Sequence, residues 1–163
     1  MVYICNDKTK FRVLKSVFII SLIVFFAVVY MLFTASPFLE YELSSNPYIP
    51  LGNILTWAGL TSLPISIYTG ISSIGKPETV FNRILKLIIL FAMVLAILWM
   101  PVSYFLADNL AANFEAQEGF RGSTRAASCF WNYNYLVVGL PLLVLFTYWL
   151  SCLVTFFRKS HTK

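Results

Sequence analysis

Eighteen consecutive residues of this chain, Val17–Thr34 (VFIISLIVFFAVVYMLFT), contain no Asp, Glu, Lys, Arg or His. A helix rises about 1.5 Å per residue, so a run of this length covers most of the roughly 30 Å hydrocarbon core of a bilayer. Three further runs share that property: Pro50–Ile71 (PLGNILTWAGLTSLPISIYTGI), Leu87–Ala107 (LIILFAMVLAILWMPVSYFLA) and Tyr135–Phe157 (YLVVGLPLLVLFTYWLSCLVTFF). The second is the weakest, interrupted by Gly, Thr, Ser and Asn. Apolar residues make up 59% of the chain and charged residues 12%. A soluble domain carries roughly 25% charge, so this composition leaves too few polar groups to cover a surface facing water. The expected fold is an all-α integral membrane protein, one domain over 1–163, with four transmembrane helices near 17–34, 50–71, 87–107 and 135–157.

Charge distribution supplies a separate test. The two tails and the inner loop 72–86 hold ten bases and two acids, net +8; the outer loops 35–49 and 108–134 hold two bases and five acids, net −3. Basic residues stay on the cytoplasmic side, which predicts short loops with both termini inside and the acidic loops outside. The net charge of +5 therefore reads as topology. Its bases are split among three segments, which argues against nucleic-acid binding. The first run exceeds the 7–15 residues of a signal-peptide core, and the small-residue exit TAS is followed at once by Pro37. It reads as an uncleaved anchor. This topology also separates Cys5, Cys129 and Cys152, so no internal disulfide is expected.

The outer loop 108–134 is the largest soluble piece. Within it DNLAANFEAQEG has Leu110 and Phe114 four apart and Gly119 as a stop, a pattern that predicts a short helical extension of the third span. RGST then breaks the chain before FWNYNYLV, where Phe130, Trp131, Tyr133 and Tyr135 form an interfacial aromatic collar. Beside that collar, Arg121 and Arg125 are expected to pair with an anionic partner or with Glu115 and Glu118. The inner loop turns at GKP, and Lys86 sits one turn inside the third helix, where its stem can reach back to the interface.

Lipid gives helices no hydrophobic reason to associate, so small residues and interhelical hydrogen bonds hold such bundles together. Ala58, Ser62, Ser66 and Gly70 recur every four residues along the second helix, with Ala92 and Ala96 on the third and Thr147, Ser151 and Thr155 on the fourth. These positions are expected to pack within the chain, or alternatively between copies in a homo-oligomer. Pro64, Pro101 and Pro141 each remove a backbone donor and predict kinks. Kinked helices favour a transporter or channel subunit as the second functional reading.

Chemistry-bearing motifs are sparse. The single histidine, His161, lies in the C-terminal tail, and HExxH, CxxC, GxSxG and Gly-rich phosphate loops do not occur. Transporters and pumps place ionisable groups at bilayer depth, and the four runs hold none. The sequence thus predicts no catalytic residue, no metal site and no cofactor. In span number, length and short loops the chain resembles the small four-span inner-membrane proteins that protect bacteria from pore-forming bacteriocins, and also conjugation-exclusion proteins. That resemblance implies a bacterial inner membrane and a non-enzymatic immunity or exclusion role. Beyond the lipid bilayer, the expected partner is another membrane or extracytoplasmic protein, met through Glu118, Arg121, Arg125 and Trp131.

Overall fold

A computed structural model describes residues 2–45, 48–107 and 124–160. Helix α1 spans Val2–Phe33, followed by a 3-10 turn at Pro37–Glu40 and strands β1 (Glu42–Ser45) and β2 (Tyr48–Pro50). Helix α2 runs Leu51–Gly70, α3 is a single turn at Ser72–Gly75, α4 runs Val80–Ala107 and α5 runs Thr124–Ser160. Among the described residues three stretches are long and apolar enough to cross a membrane: Arg12–Phe33, Val80–Leu106 and Thr124–Arg158. Helix α2 is shorter, with 20 residues, and less apolar than these.

Each helix lies antiparallel to its neighbour. Phe18 meets Gly70 and Val28 meets Gly59 across α1 and α2. Trp57 reaches Ile97 between α2 and α4, and Trp99 reaches Asn134 between α4 and α5. The antiparallel order gathers Arg12, Lys15, Lys76, Arg83, Lys86 and Arg158 towards one end of the bundle, while the strands lie at the other. Helix α2 touches α1, α4 and α5 and is the hub of the structure.

The α4–α5 pair has a regular seam. Buried positions on α4 are Leu85, Ile89, Ala92, Ala96, Trp99 and Ser103, and on α5 Ala127, Val137, Pro141 and Val144. These steps alternate between four and three or fall on multiples of the same repeat. A 3.5-residue repeat keeps one stripe of each helix on its partner and favours a shallow left-handed crossing. Ala92 and Ala96 are wholly buried, so the helices approach closely at mid-height. Two apolar layers fill the interior. One joins Leu63, Ile67, Ile74, Leu85, Ile89 and Val144; the other joins Ala96, Trp99 and Val137. Ile74 comes from the single turn α3, which closes that end of the bundle.

Elsewhere the surface is aliphatic and aromatic. Ile20, Ile23, Phe26, Phe91, Phe105, Phe146 and Trp149 are all exposed. An apolar surface this extensive is a solvent-facing liability in water and an ordinary surface in lipid.

The link between α1 and α2 departs from a plain loop. Helix α1 ends with Ala35 at φ 44°, the Ser36 N–H bonded to the Met31 carbonyl and the Ala35 N–H bonded to the Leu32 carbonyl. This is a left-handed helix stop of the Schellman type. A small antiparallel hairpin follows, pairing Ser45 with Tyr48 and Glu42 with Pro50 across a bulge. The Leu51 N–H bonds to the Tyr41 carbonyl and fixes where α2 starts. Residues 42–50 (ELSSNPYIP) lack a sustained polar–apolar alternation, so the strands leave only a weak signal beside the long apolar runs.

Candidate functional site

Two regions concentrate polar side chains against this apolar background, one in the half of the bundle nearest the strands and one at the basic end.

The first is built on α5. This helix begins at Thr124, eleven residues before the apolar run at Tyr135. Its 37 residues amount to a rod of about 55 Å. The early turns are locked against α4 by two polar contacts, supported by a third within α5. The Tyr133 hydroxyl donates to the Leu95 carbonyl at 2.5 Å, and the Trp99 indole N–H donates to Asn134 Oδ1 at 2.7 Å. The Asn134 amide donates in turn to the Phe130 carbonyl at 2.8 Å. Asn134 thereby uses its acceptor on a neighbouring helix and its donor on its own. Ala127 is buried on the same face. The opposite face exposes Arg125, Ser128, Cys129, Trp131, Asn132 and Tyr135. Trp131 lies edge-on to Phe130, centroids 5.8 Å apart, and tilted against Tyr135 at 6.4 Å. The aromatic collar is therefore a helical surface in which Phe130 and Tyr133 point inward and Trp131 and Tyr135 outward.

Of the four residues singled out for partner binding, Arg125 and Trp131 belong to this surface, separated by six residues along α5. Glu118 and Arg121 lie outside the described residues, as do Glu115 and the segment expected to extend the third span.

The second region lies where α2, α3, α4 and α5 meet at the basic end. Lys86 is half-buried, and its ammonium donates to the Gly75 carbonyl at 3.2 Å. It also lies 6.0 Å from the centroid of the Tyr68 ring, the outer limit of a cation–π contact. The Ser73 hydroxyl donates to the Tyr148 hydroxyl at 3.2 Å. Thr79 Oγ1 accepts the Asn82 N–H at 3.2 Å and caps the start of α4.

The small residues divide into several roles. Ser62 and Ser66 are buried, and their hydroxyls donate within α2 to the Gly59 and Leu63 carbonyls at 2.8 and 2.7 Å. Ala58 is half-buried. Gly70 is exposed, yet a Cβ there would lie 2.6 Å from Phe18 Cε2. On α5, Thr147 and Ser151 are half-buried and Thr155 is exposed, its hydroxyl bonded to the Ser151 carbonyl at 2.8 Å. Gly59, outside the row, also admits α1: a Cβ there would lie 2.7 Å from Val28 Cγ1. A row spaced by four turns about 40° per step at about 100° per residue, hence about 120° between Ala58 and Gly70. Gly59 and Gly70 are eleven residues apart and share a face, so they meet the same helix.

The prolines also differ. Pro64 and Pro141 are fully buried, while Pro101 is exposed. Pro101 has no N–H for the Ile97 carbonyl, and the Trp57 indole N–H reaches across from α2 to that carbonyl at 3.1 Å. Sequence reasoning missed Trp57, although an indole N–H in an apolar run signals a need for an acceptor.

Among the described residues no group of three or more His, Cys, Asp or Glu side chains is placed to hold a metal ion. Cys129 and Cys152 are both free thiols. A shallow hollow of about 460 Å³ along α5 is lined by Leu142, Leu145, Phe146 and Trp149; it offers acyl-chain packing and no polar chemistry. Compared with protein-family models, curated proteins and solved structures, the chain matches none.

Proposed function

We propose that this is a non-enzymatic, multi-pass membrane protein that works by binding another membrane or extracytoplasmic protein, in the manner of an immunity or exclusion factor. The observation that carries the reading is the face of the opening turns of α5, locked in place against α4. These turns, towards the end opposite the bases, pack beside α4, held by Tyr133 and Asn134, and expose Arg125, Trp131 and Asn132. A surface fixed in advance loses little entropy on docking, and Trp and Arg are the side chains that most often anchor protein interfaces. Glu118 and Arg121, outside the described residues, are proposed from the sequence to meet the same partner.

The reading includes four crossings with both termini in the cytoplasm of a bacterial inner membrane. Helix α2 lies antiparallel between α1 and α4, and its 20 residues rise about 30 Å. Its lower hydropathy fits a helix screened from lipid by its neighbours. The packed layers around Leu63, Ile89 and Val144 favour this reading over a transport path through the bundle.

The test uses native Cys129, exposed on the proposed surface. Membranes carrying the full chain are treated with a thiol-anchored photo-crosslinker. The expected result is a discrete protein adduct that disappears in Arg125→Ala/Trp131→Ala. Adducts unchanged in that variant, or adducts to lipid alone, would remove the proposal. Reporter fusions at residues 45 and 122 check the topology independently; both must report outside the cytoplasm.

A further inference from the structure

We propose that the junction of α2, α3, α4 and α5 at the basic end is a binding site for the phosphate headgroup of an anionic phospholipid, centred on Lys86. Three observations converge. First, Lys86 is a half-buried cation whose described partners are neutral, the Gly75 carbonyl at 3.2 Å and the Tyr68 ring at 6.0 Å. An ammonium has three N–H donors, and a desolvated charge gains most from an anionic acceptor.

Second, Arg83 stands three residues before Lys86 and therefore on the same side of α4, and Lys76 stands next to Gly75; both are exposed. Among the described residues neither side chain forms an ion pair, and the acid of this loop, Glu78, is exposed. Third, the hydroxyl of Ser73, in the same single turn α3 as Gly75, is held at 3.2 Å from the Tyr148 hydroxyl of α5, and both are neutral groups suited to a phosphate oxygen or a glycerol hydroxyl. A Cβ at Gly75 would meet nothing within 4 Å, so the loop beside the cation is open.

The geometry suits a lipid better than a soluble anion. Lys86 lies nearly two turns inside an apolar helix whose outward residues Ile84, Leu87, Leu90 and Phe91 are exposed. A headgroup at Lys86 would lay its acyl chains along those side chains. Simple attraction to an anionic leaflet predicts that every base at this end contributes alike, each by about 1 kcal/mol or a factor of about five. A built site predicts that Lys86 contributes more than an exposed base such as Arg12.

The experiment reconstitutes the full chain in nanodiscs of phosphatidylcholine mixed with phosphatidylglycerol and counts retained lipids by native mass spectrometry. The expected result is selective retention of one phosphatidylglycerol. K86Q should lower that retention by about fivefold or more, K86R should largely keep it, and R12Q should leave it unchanged. The pair S73A/Y148F, which keeps every charge, should weaken it as well, and helix content by circular dichroism confirms that each variant is folded. Equal losses in K86Q and R12Q would reduce the effect to surface attraction and overturn the site. So would the absence of selectivity in the unaltered chain, or displacement of the lipid by inorganic phosphate.

Discussion

Replacing Trp57 by Phe isolates one hydrogen bond that α2 makes to α4. The Trp57 indole donates to the Ile97 carbonyl at 3.1 Å, and that carbonyl lost its usual helical donor because Pro101 stands four residues later. Water cannot replace the missing donor in hydrocarbon, where an unmet backbone group is costly. Side-chain hydrogen bonds between membrane helices average about 0.6 kcal/mol and reach about 1.7. This one belongs in the upper half of that range, since its acceptor has no backbone alternative: about 1 kcal/mol, or a factor of about five in the folding equilibrium. The smaller phenyl ring adds a packing loss of about 1 kcal/mol. W57F is therefore expected to cost about 2 kcal/mol in the native background. In a P101A background residue 101 again supplies an N–H to Ile97, and the same change should cost only the packing part, about 1 kcal/mol. The assay is unfolding in mixed micelles titrated with dodecyl sulfate, followed by far-ultraviolet circular dichroism, for the four chains of the cycle. Equal costs of W57F in the two backgrounds would refute the claim that the indole serves the proline-orphaned carbonyl.

Two further substitutions test how α1 is attached and how it ends. Gly59→Ala sets a Cβ 2.7 Å from Val28 Cγ1, so the α1–α2 pair should lose about 1–3 kcal/mol by overpacking, with much of it regained when Val28→Ala is added. The same micelle titration reads both, and additive losses would count against a steric origin. Ala35 holds φ 44° in the stop of α1, a conformation that costs a non-glycine residue roughly 1–2 kcal/mol. Ala35→Gly should raise stability by up to about 1 kcal/mol once glycine's greater unfolded-state freedom is subtracted; a loss would mean that the Ala35 methyl has a packing role.

The presence of the long apolar helices was legible because lipid imposes one rule on every exposed side chain, and a run such as Val17–Thr34 announces it. Partner choice within the bundle was less legible. Ala92 and Ala96 could be read as packing residues because they are small and regularly spaced, and both are wholly buried. The row from Ala58 to Gly70 was harder, because recurrence every four residues is not constancy of face: one close contact with α1 fell on Gly70, within the row, and another on Gly59, outside it. Thr155 shows the other limit. A hydroxyl bonded to the carbonyl four residues back needs no second helix, so its presence in an apolar run says nothing about where a neighbour lies. The helical start of α5 at Thr124 was hidden for a similar reason: Arg125, Ser128 and Asn132 carry no apolar signal, while its locking contacts with Leu95 and Trp99 come from about thirty residues away or more.

Hydropathy records what a helix shows to lipid, and this explains the place of α2. The weakest of the four apolar runs is the one packed on α1, α4 and α5 together. Its polar residues cost little there. Thr61, Ser62, Ser66 and Thr69 turn their hydroxyls onto carbonyls of their own helix, which leaves a slim, internally satisfied rod around which larger side chains close. Leu63 and Ile67 supply the apolar contact, and Gly59 and Gly70 admit α1. Helix α1 has the reverse composition for the reverse reason: it leans mainly on α2 and exposes Ile19, Ile20, Ile23, Phe26 and Tyr30. A helix in the middle of a lipid-embedded bundle must be small and self-satisfied, whereas a helix at its edge must be apolar. The interruptions that weaken α2 as a membrane-crossing signal are the same residues that fit it to organise the other three.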